Sequence, residues 1–488
     1  MTYRKNYING TWTEPSSGEY QELIDPSTEE HLETVPRSDA RDAEDAVSAA
    51  RRAFYETREW RDLPASERAE TLMKIRDLML RDAHEIAAVE TRNQGKPLRE
   101  AKDDVSSSAD CFRYYAELIT KEAREGAGNI PEEGSASAFV AKEPVGVCAL
   151  ITPWNYPLLM ASQKIAPALA AGNCIVVKPA SYTPLSTIKL FELMEEAGLP
   201  AGAANLVIGP GGPVGGALAR SRDVDMITFT GSTDVGRDIM AAASVNIKNV
   251  ALELGGKSPV IIFDDAELES AAEWAMTGIF MNQGEICSAG ARILVREKAH
   301  DRFLALMADM TAKMKAGDPM DDPDIGPLVS GQHMKKVLSY IESGIAEGAK
   351  LVCGGHRIGR RGFCVEPTIL DGCSPDMKIV REEIFGPVAT VQTFSDEEEA
   401  VAMANDTEYG LAGAVFTKDM DRARRVISEV RAGMMWANCY NIAGSDMLWG
   451  GFGMSGIGRE MGPEGLDEYR ELKQIYISRD YSMPGWYV

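Results

Sequence analysis

Hydrophobic positions fall into two textures along the chain. In "ASERAETLMKIRDLMLRDAHEIAAVETRNQ", Leu72, Ile75, Leu78, Met79 and Ile86 recur at helical spacing, so the first part of the chain is expected to be helical. From Val145 the pattern changes. Short apolar runs ("VCALIT", "CIVVKP", "ANLVIG", "MITFTG", "VALELGG") alternate with longer amphipathic or apolar stretches ("PLLMASQKIAPALAAG", "LSTIKLFELMEEAGLP"). Strand, helix, strand at this spacing predicts a parallel sheet covered by helices, with ligands beyond the carboxyl ends of its strands. A second α/β run begins at "PVIIF", continues through a helix with Leu268, Ala271, Ala275 and Ile279 on one face, and resumes as strand at "ARILV". "EYRELKQIYISRDYSMPGWYV" near the end has aromatic residues but little core-forming periodicity. It reads as an added edge strand for contact with another copy.

Composition narrows the classes. At 488 residues the chain fits two or three domains, and a net charge of −23 argues against a nucleic-acid binder or an anionic membrane surface. The N-terminal stretch is polar, without a signal-peptide core, and the apolar region from Val145 to Val177 is interrupted by Pro153, Asn155, Gln163, Lys164, Gly172 and Asn173. Eight cysteines without a CxxC pair do not form a disulfide framework. A reduced, cytoplasmic protein is expected.

"MNQGEICSAG" places Cys287 on a helix-to-strand loop, far in sequence from His31, His84, His300, His333 and His356. A nucleophile there needs another base. Glu253, ending the apolar run of "LELGGK", is a solvated carboxylate on the ordinary reading, but a desolvated Glu has a raised pKa and can act as base. Asn155 in "TPWNYP" follows a strand and can donate to an oxyanion. "GSTDVG" opens a helix after a strand, where backbone N–H groups can hold phosphate. "GGKS" is not a P-loop, because Ala251 stands where a Gly is required. Cys353, His356, Cys364 and Cys373 lack the paired spacing of a zinc site, and no metal is expected.

Taken together, "TPWNYP", "KPASYTP", "FTGSTDVG", "LELGGK", "GEICSAGARILV", "EEIFGPV" and "SGIGRE" resemble, in order, the motifs of the NAD(P)-dependent aldehyde dehydrogenase superfamily, and most of all its betaine-aldehyde and aminoaldehyde branch. The 34-position gap from Glu253 to Cys287 also matches. The resemblance implies an α/β fold: a Rossmann-like cofactor domain (residues 1–121 and 144–252), an α/β catalytic domain (253–447), a small β oligomerisation extension (122–143 and 471–488), and a return to the cofactor side at 448–470. It implies Cys287 as nucleophile, Glu253 as base for hydrolysis, and Asn155 with the Cys287 N–H as oxyanion donors. Thr152, Pro153, Trp154, Lys178, Ser181, Gly211, Gly231, Ser232, Leu254, Glu383 and Phe385 would bind NAD or NADP. Tyr156, Gln163, Met281, Tyr440 and Trp449, with Met434 and Met447, would line the substrate tunnel, and Glu460 would relay protons. A homodimer or homotetramer is expected.

Two departures matter. Three residues after Lys178, where NAD-using members commonly have Glu, stands Ser181. Without that carboxylate a 2′-phosphate is not repelled, so NADP+ is expected to be accepted. Gln163 and Met281 occupy positions where Trp is common, while Tyr156 and Trp449 match aromatic positions that cradle a quaternary ammonium. The expected substrate is betaine aldehyde, an aminoaldehyde, or a neutral aliphatic or aromatic aldehyde. The alternatives are a succinate-semialdehyde type using NADP, a CoA-acylating enzyme (disfavoured by Glu253), and a non-catalytic structural relative.

Overall fold

The structure is a computed structural model that describes residues 3–125, 136–479, 481 and 485–487. Its two main sheets follow the two α/β runs. In the first, Glu253's strand Asn249–Glu253 lies beside Met226–Thr230, then Val147–Ile151, Cys174–Lys178 and Ala204–Leu206, all parallel. These strands are buried on both faces, which is why they read as continuous apolar runs rather than alternating ones. The chain builds outward from Val147–Ile151 in one direction, then returns to add Met226–Thr230 on its other side. That reversal opens a crevice at the carboxyl ends of these two strands.

Several expectations are corrected here. The N-terminal region is not helical throughout. Asn6–Ile8 and Thr11–Thr13 form a hairpin that extends the first sheet antiparallel to Ala204–Leu206, and Tyr20–Ile24 pairs with His31–Pro36. Asn9 and Gly10 carry φ of 52° and 75°, as a two-residue turn between right-twisted strands requires. The helical stretch over 65–94 is two helices, Ala65–Arg81 and Ala83–Gln94, broken at Asp82. Leu72, Ile75, Met79 and Ile86 are all buried as expected, and Leu78 packs against the core part-buried. The helix Leu98–Arg124 follows.

The second sheet has Pro259–Ile262, Arg292–Arg296, Val388–Phe394 and Ala412–Phe416 parallel at its centre. The chain passes into it through Leu254–Ser258, so the amino ends of this sheet meet the carboxyl ends of the first. Arg292 staples the junction. Its buried guanidinium donates to the carbonyls of Lys257, Met403 and Ala404. After the second sheet the chain goes back to the first, where Gly456–Ile457 pairs antiparallel with Asn249–Glu253.

The remaining two-stranded sheet pairs Ala136–Pro144 with Arg470–Ser478. It projects with Val140, Leu472 and Tyr476 exposed. Residues 126–135 of the expected extension, and parts of the tail, lie outside the described residues. Among the described residues no helix is long and apolar enough to cross a membrane.

Candidate active site

The loops after five strands of the first sheet carry the residues expected to bind a dinucleotide. After Val147–Ile151 comes Thr152, whose hydroxyl is buried without a partner, then Pro153 and Trp154. Trp154 stacks edge-on against Phe385 and His333, each with ring centroids 5.1 Å away. His333 Nε2 donates to the Phe385 carbonyl at 2.6 Å and so fixes Phe385, whose φ is 62°. Burial pushes His333 down to about 4, so it is neutral at physiological pH. After Cys174–Lys178, Lys178 is buried and donates to the Pro179 carbonyl at 2.9 Å. Burial pulls its ammonium down to about 8. Ser181 donates its hydroxyl to the Gly209 carbonyl at 2.8 Å. Gly211 opens on free space.

After Met226–Thr230 come Gly231 and Ser232. Ser232 precedes the helix Thr233–Ala243 and makes no capping bond to it, leaving backbone N–H donors at its first turn. A Cβ at Gly231 would strike the Phe229 ring at 2.5 Å. Leu254 is buried against Gly236 of that helix. Across the crevice, one Glu383 oxygen accepts from the Gly256 N–H at 3.2 Å, and burial raises its carboxyl to about 7. A partly dehydrated lysine, an uncapped helix start, an orphan hydroxyl and a carboxylate at the far end suit the phosphates and riboses of a dinucleotide.

Where the sheets meet, the backbone of Leu254–Ser258 runs directly behind the loop that carries Cys287. A Cβ at Gly256 would lie 2.6 Å from the Cys287 carbonyl. The Cys287 thiol is half-buried against Leu411, Ala412 and Met434, with Trp436 and Trp449 beside them. Desolvation first, then the nearby Glu383 and Glu253 carboxylates, push the thiol up to about 12. It rests protonated.

Glu253 is buried, and its Oε2 has no hydrogen-bond partner. Gly450 lets the chain pass close by: a Cβ there would sit 2.8 Å from Glu253 Oε1. Burial, and then the Glu460 charge, raise the Glu253 carboxyl well above its ordinary value, opposed by Lys164 and Arg459. Glu460 is itself ion-paired with Lys164, whose ammonium also donates to the Thr228 hydroxyl at 3.1 Å. The backbone of Glu460 is bridged to Trp449 in both directions.

Asn155 is buried. Its amide donates to the Glu285 carbonyl at 2.8 Å, and its own carbonyl accepts from Asn282 at 3.0 Å. One N–H of the amide is left for a substrate oxygen.

The residues expected in the tunnel divide. Met281 and Tyr156 pack part-buried on the catalytic core, and Met447 is exposed. Tyr156 already has a cation, since Lys96 Nζ lies 3.9 Å from its ring centroid. Gln163 is buried and its amide donates to the Met461 sulfur at 3.2 Å. Tyr440 is a correction. It is 1% exposed, its hydroxyl donates to the Ser288 carbonyl at 2.6 Å, and its ring fits against Gly278 and Gly290. It braces the loop that carries Cys287 and does not open as a wall.

Sequence reasoning missed Lys164, Arg459, His333, Lys96 and Trp436. Lys164 carried a signal: a lone lysine within the apolar helix Pro157–Ala170 needs a buried partner. The others are placed by tertiary contact alone.

The aldehyde dehydrogenase family profile matches residues 12–475. A betaine aldehyde dehydrogenase of Bacillus subtilis (strain 168) is 47% identical over 487 residues, covering 99% of each chain. Retinal dehydrogenase 2 of Homo sapiens is 44% identical, over 98% of this chain and 92% of its own. A crystal structure of a betaine aldehyde dehydrogenase from Staphylococcus aureus, in complex with NAD+, superposes with a TM-score of 0.95 at 42% identity, covering 99% of this chain and 96% of that one. With a crevice suited to a dinucleotide and a thiol beside an orphan carboxylate, the chain belongs to the aldehyde dehydrogenase family.

Proposed function

We propose that Cys287 is the nucleophile, Asn155 an oxyanion donor and Glu253 the hydrolytic base in the oxidation of an aldehyde to its acid. The observation that carries this reading is the buried, unpartnered Glu253 oxygen beside the Cys287 pocket. Cys287 Sγ gives up its proton to solvent water and forms a bond to the aldehyde carbon. The carbonyl oxygen, now an alkoxide, accepts from the free Asn155 N–H and the Cys287 backbone N–H. The nicotinamide cofactor, when bound, supplies the acceptor for the hydride that leaves this carbon. A thioester on Cys287 remains. Glu253 takes a proton from water, the hydroxide attacks the thioester, and the C–S bond breaks to release the acid and leave the Cys287 thiolate. The Glu460–Lys164 pair beside Glu253 supports Glu460 as the outlet for that proton. Turnover by the Cys287→Ala variant would overturn the assignment.

The cofactor site suits either dinucleotide. Lys178 has donors to spare, and Ser181 brings no carboxylate to repel a 2′-phosphate. For the substrate, Trp436 and Trp449 wall the thiol with aromatic surface, which favours a quaternary-ammonium or neutral aldehyde over an anionic one. Betaine aldehyde is the first choice, in line with the betaine aldehyde dehydrogenases among the named relatives. kcat/KM across betaine aldehyde, aminoaldehydes, succinate semialdehyde and simple aldehydes decides it; preference for succinate semialdehyde would overturn the ranking.

The exposed apolar side chains on the Ala136–Pro144 and Arg470–Ser478 pair support a homo-oligomer, since a two-stranded ribbon of this kind is marginal alone. All eight cysteines are unpaired, which supports a reducing, cytoplasmic setting.

A further inference from the structure

The nucleophile loop is strained where it leaves the helix Leu268–Phe280. Asn282, Gln283 and Gly284 follow one another with φ of 47°, 57° and 71°. Only the third is glycine. A left-handed non-glycine residue costs on the order of 1 kcal/mol, so two in a row need a restraint from outside.

The restraint comes from another element. The Asn282 N–H donates to Glu100 Oε2 at 2.8 Å, across from the helix Leu98–Arg124. The Glu100 side chain is 13% exposed. Held this way, the Asn282 amide donates to the Asn155 carbonyl at 3.0 Å and to the Glu285 carbonyl at 3.2 Å. Asn155 donates to that same Glu285 carbonyl at 2.8 Å. Glu285 is pinned in turn by the Val329 N–H at 3.0 Å and the Gln94 amide at 2.8 Å. Two residues after Glu285 stands Cys287. The amide that receives the oxyanion and the thiol that attacks are therefore set relative to each other through Asn282. Glu100 is the side chain that grips its backbone.

We propose that Glu100 is a positioning residue for aldehyde oxidation. It acts as the acceptor that holds the left-handed Asn282 and, through it, the spacing of Asn155 and Cys287. What matters is an oxygen at the right reach, not the negative charge. This rests on the assignment of Asn155 and Cys287 given above.

Three variants separate reach from charge. Glu100→Gln keeps an oxygen at the same reach and removes the charge. Glu100→Asp keeps the charge and withdraws the oxygen by one methylene. Glu100→Ala removes both. The full-length enzyme is assayed for kcat and for KM of NAD+, with active sites counted by cofactor binding. The expected result is kcat within about threefold of wild type for the Gln variant, a loss of roughly tenfold or more for Asp and Ala, and a KM for NAD+ within about twofold throughout. An Ala variant that folds and keeps its kcat overturns the proposal. So does the reverse order, with Asp active and Gln impaired. If the Ala variant does not fold, the order of Gln and Asp still decides. Lowered melting temperatures with unchanged kcat per site would show a merely structural role and equally overturn it. Failure of the underlying assignment looks different: the Cys287→Ala enzyme would retain turnover.

Discussion

Replacing Lys178 by methionine tests how the protein holds the adenosine end of its cofactor. Lys178 is 3% exposed and makes one hydrogen bond, to the Pro179 carbonyl. Burial has moved its ammonium from 10.5 to about 8. That displacement corresponds to roughly 3 kcal/mol of hydration lost without full replacement. A 2′-phosphate seated against the ammonium replaces it, and truncating one partner of such a buried charge pair costs about 2–4 kcal/mol. A ribose hydroxyl gives a weaker bond, worth about 1–1.5 kcal/mol. Lys178→Met is therefore expected to lower kcat/KM for NADP+ by roughly 30- to 1000-fold, and for NAD+ by only about 5- to 10-fold. Ser181→Glu is expected to do the same selectively, by bringing back a carboxylate beside the phosphate. The assay is initial-rate NAD(P)H formation at 340 nm with both cofactors at about pH 7.5, below the Lys178 value, where the ammonium carries its charge. Equal losses for the two cofactors would refute the reasoning, as would a wild-type enzyme unable to use NADP+.

Glu253→Gln should form the thioester and then stall. It should show a burst of about one NAD(P)H per site followed by turnover slowed roughly 100-fold or more, and wild-type steady-state rates would sink the assignment. Because burial raises the Glu253 carboxyl, wild-type kcat should climb with pH through that raised value and plateau above it; a profile falling over this range contradicts its role as base. Glu90, Glu100 and Glu383 are each raised by burial to about 7 from 4.5. Their protonated forms favour the folded state, so this stability is fully present below pH 4.5 and is lost as pH rises through 7, by up to about 3 kcal/mol for each. A urea midpoint higher at pH 8 than at pH 5 would contradict that. Tyr440→Phe, which leaves the Ser288 carbonyl without its donor, should cost about 1–2 kcal/mol of stability while the KM for aldehyde stays within about twofold.

How far the sequence anticipates the site depends on what kind of contact places each residue. Glu253 and Lys178 end, and Asn155 and Ser232 follow, parallel strands of one sheet, so their convergence follows from topology once the strands are recognised. Apolar runs of five residues mark those strands clearly. The N-terminal hairpin is hard to read because its strands are only three residues long, although Asn9–Gly10 is a strong turn signal. Tyr440 shows the opposite difficulty. An aromatic residue near a tunnel and one beneath it look alike in sequence, and only the approach of Gly278 and Gly290 to its ring separates them. Lys96 on Tyr156 is a meeting of residues sixty positions apart with no shared motif.

The protonated resting thiol has a consequence for chemical durability. Burial and the neighbouring carboxylates favour the protonated form of Cys287, and peroxides and alkylating agents react with thiolates. Burial also holds Cys111, Cys174 and Cys373 at about 12. A thiol that rests protonated must first lose its proton to react, so the carboxylates packed beside Cys287 govern how readily it meets any electrophile, substrate or not.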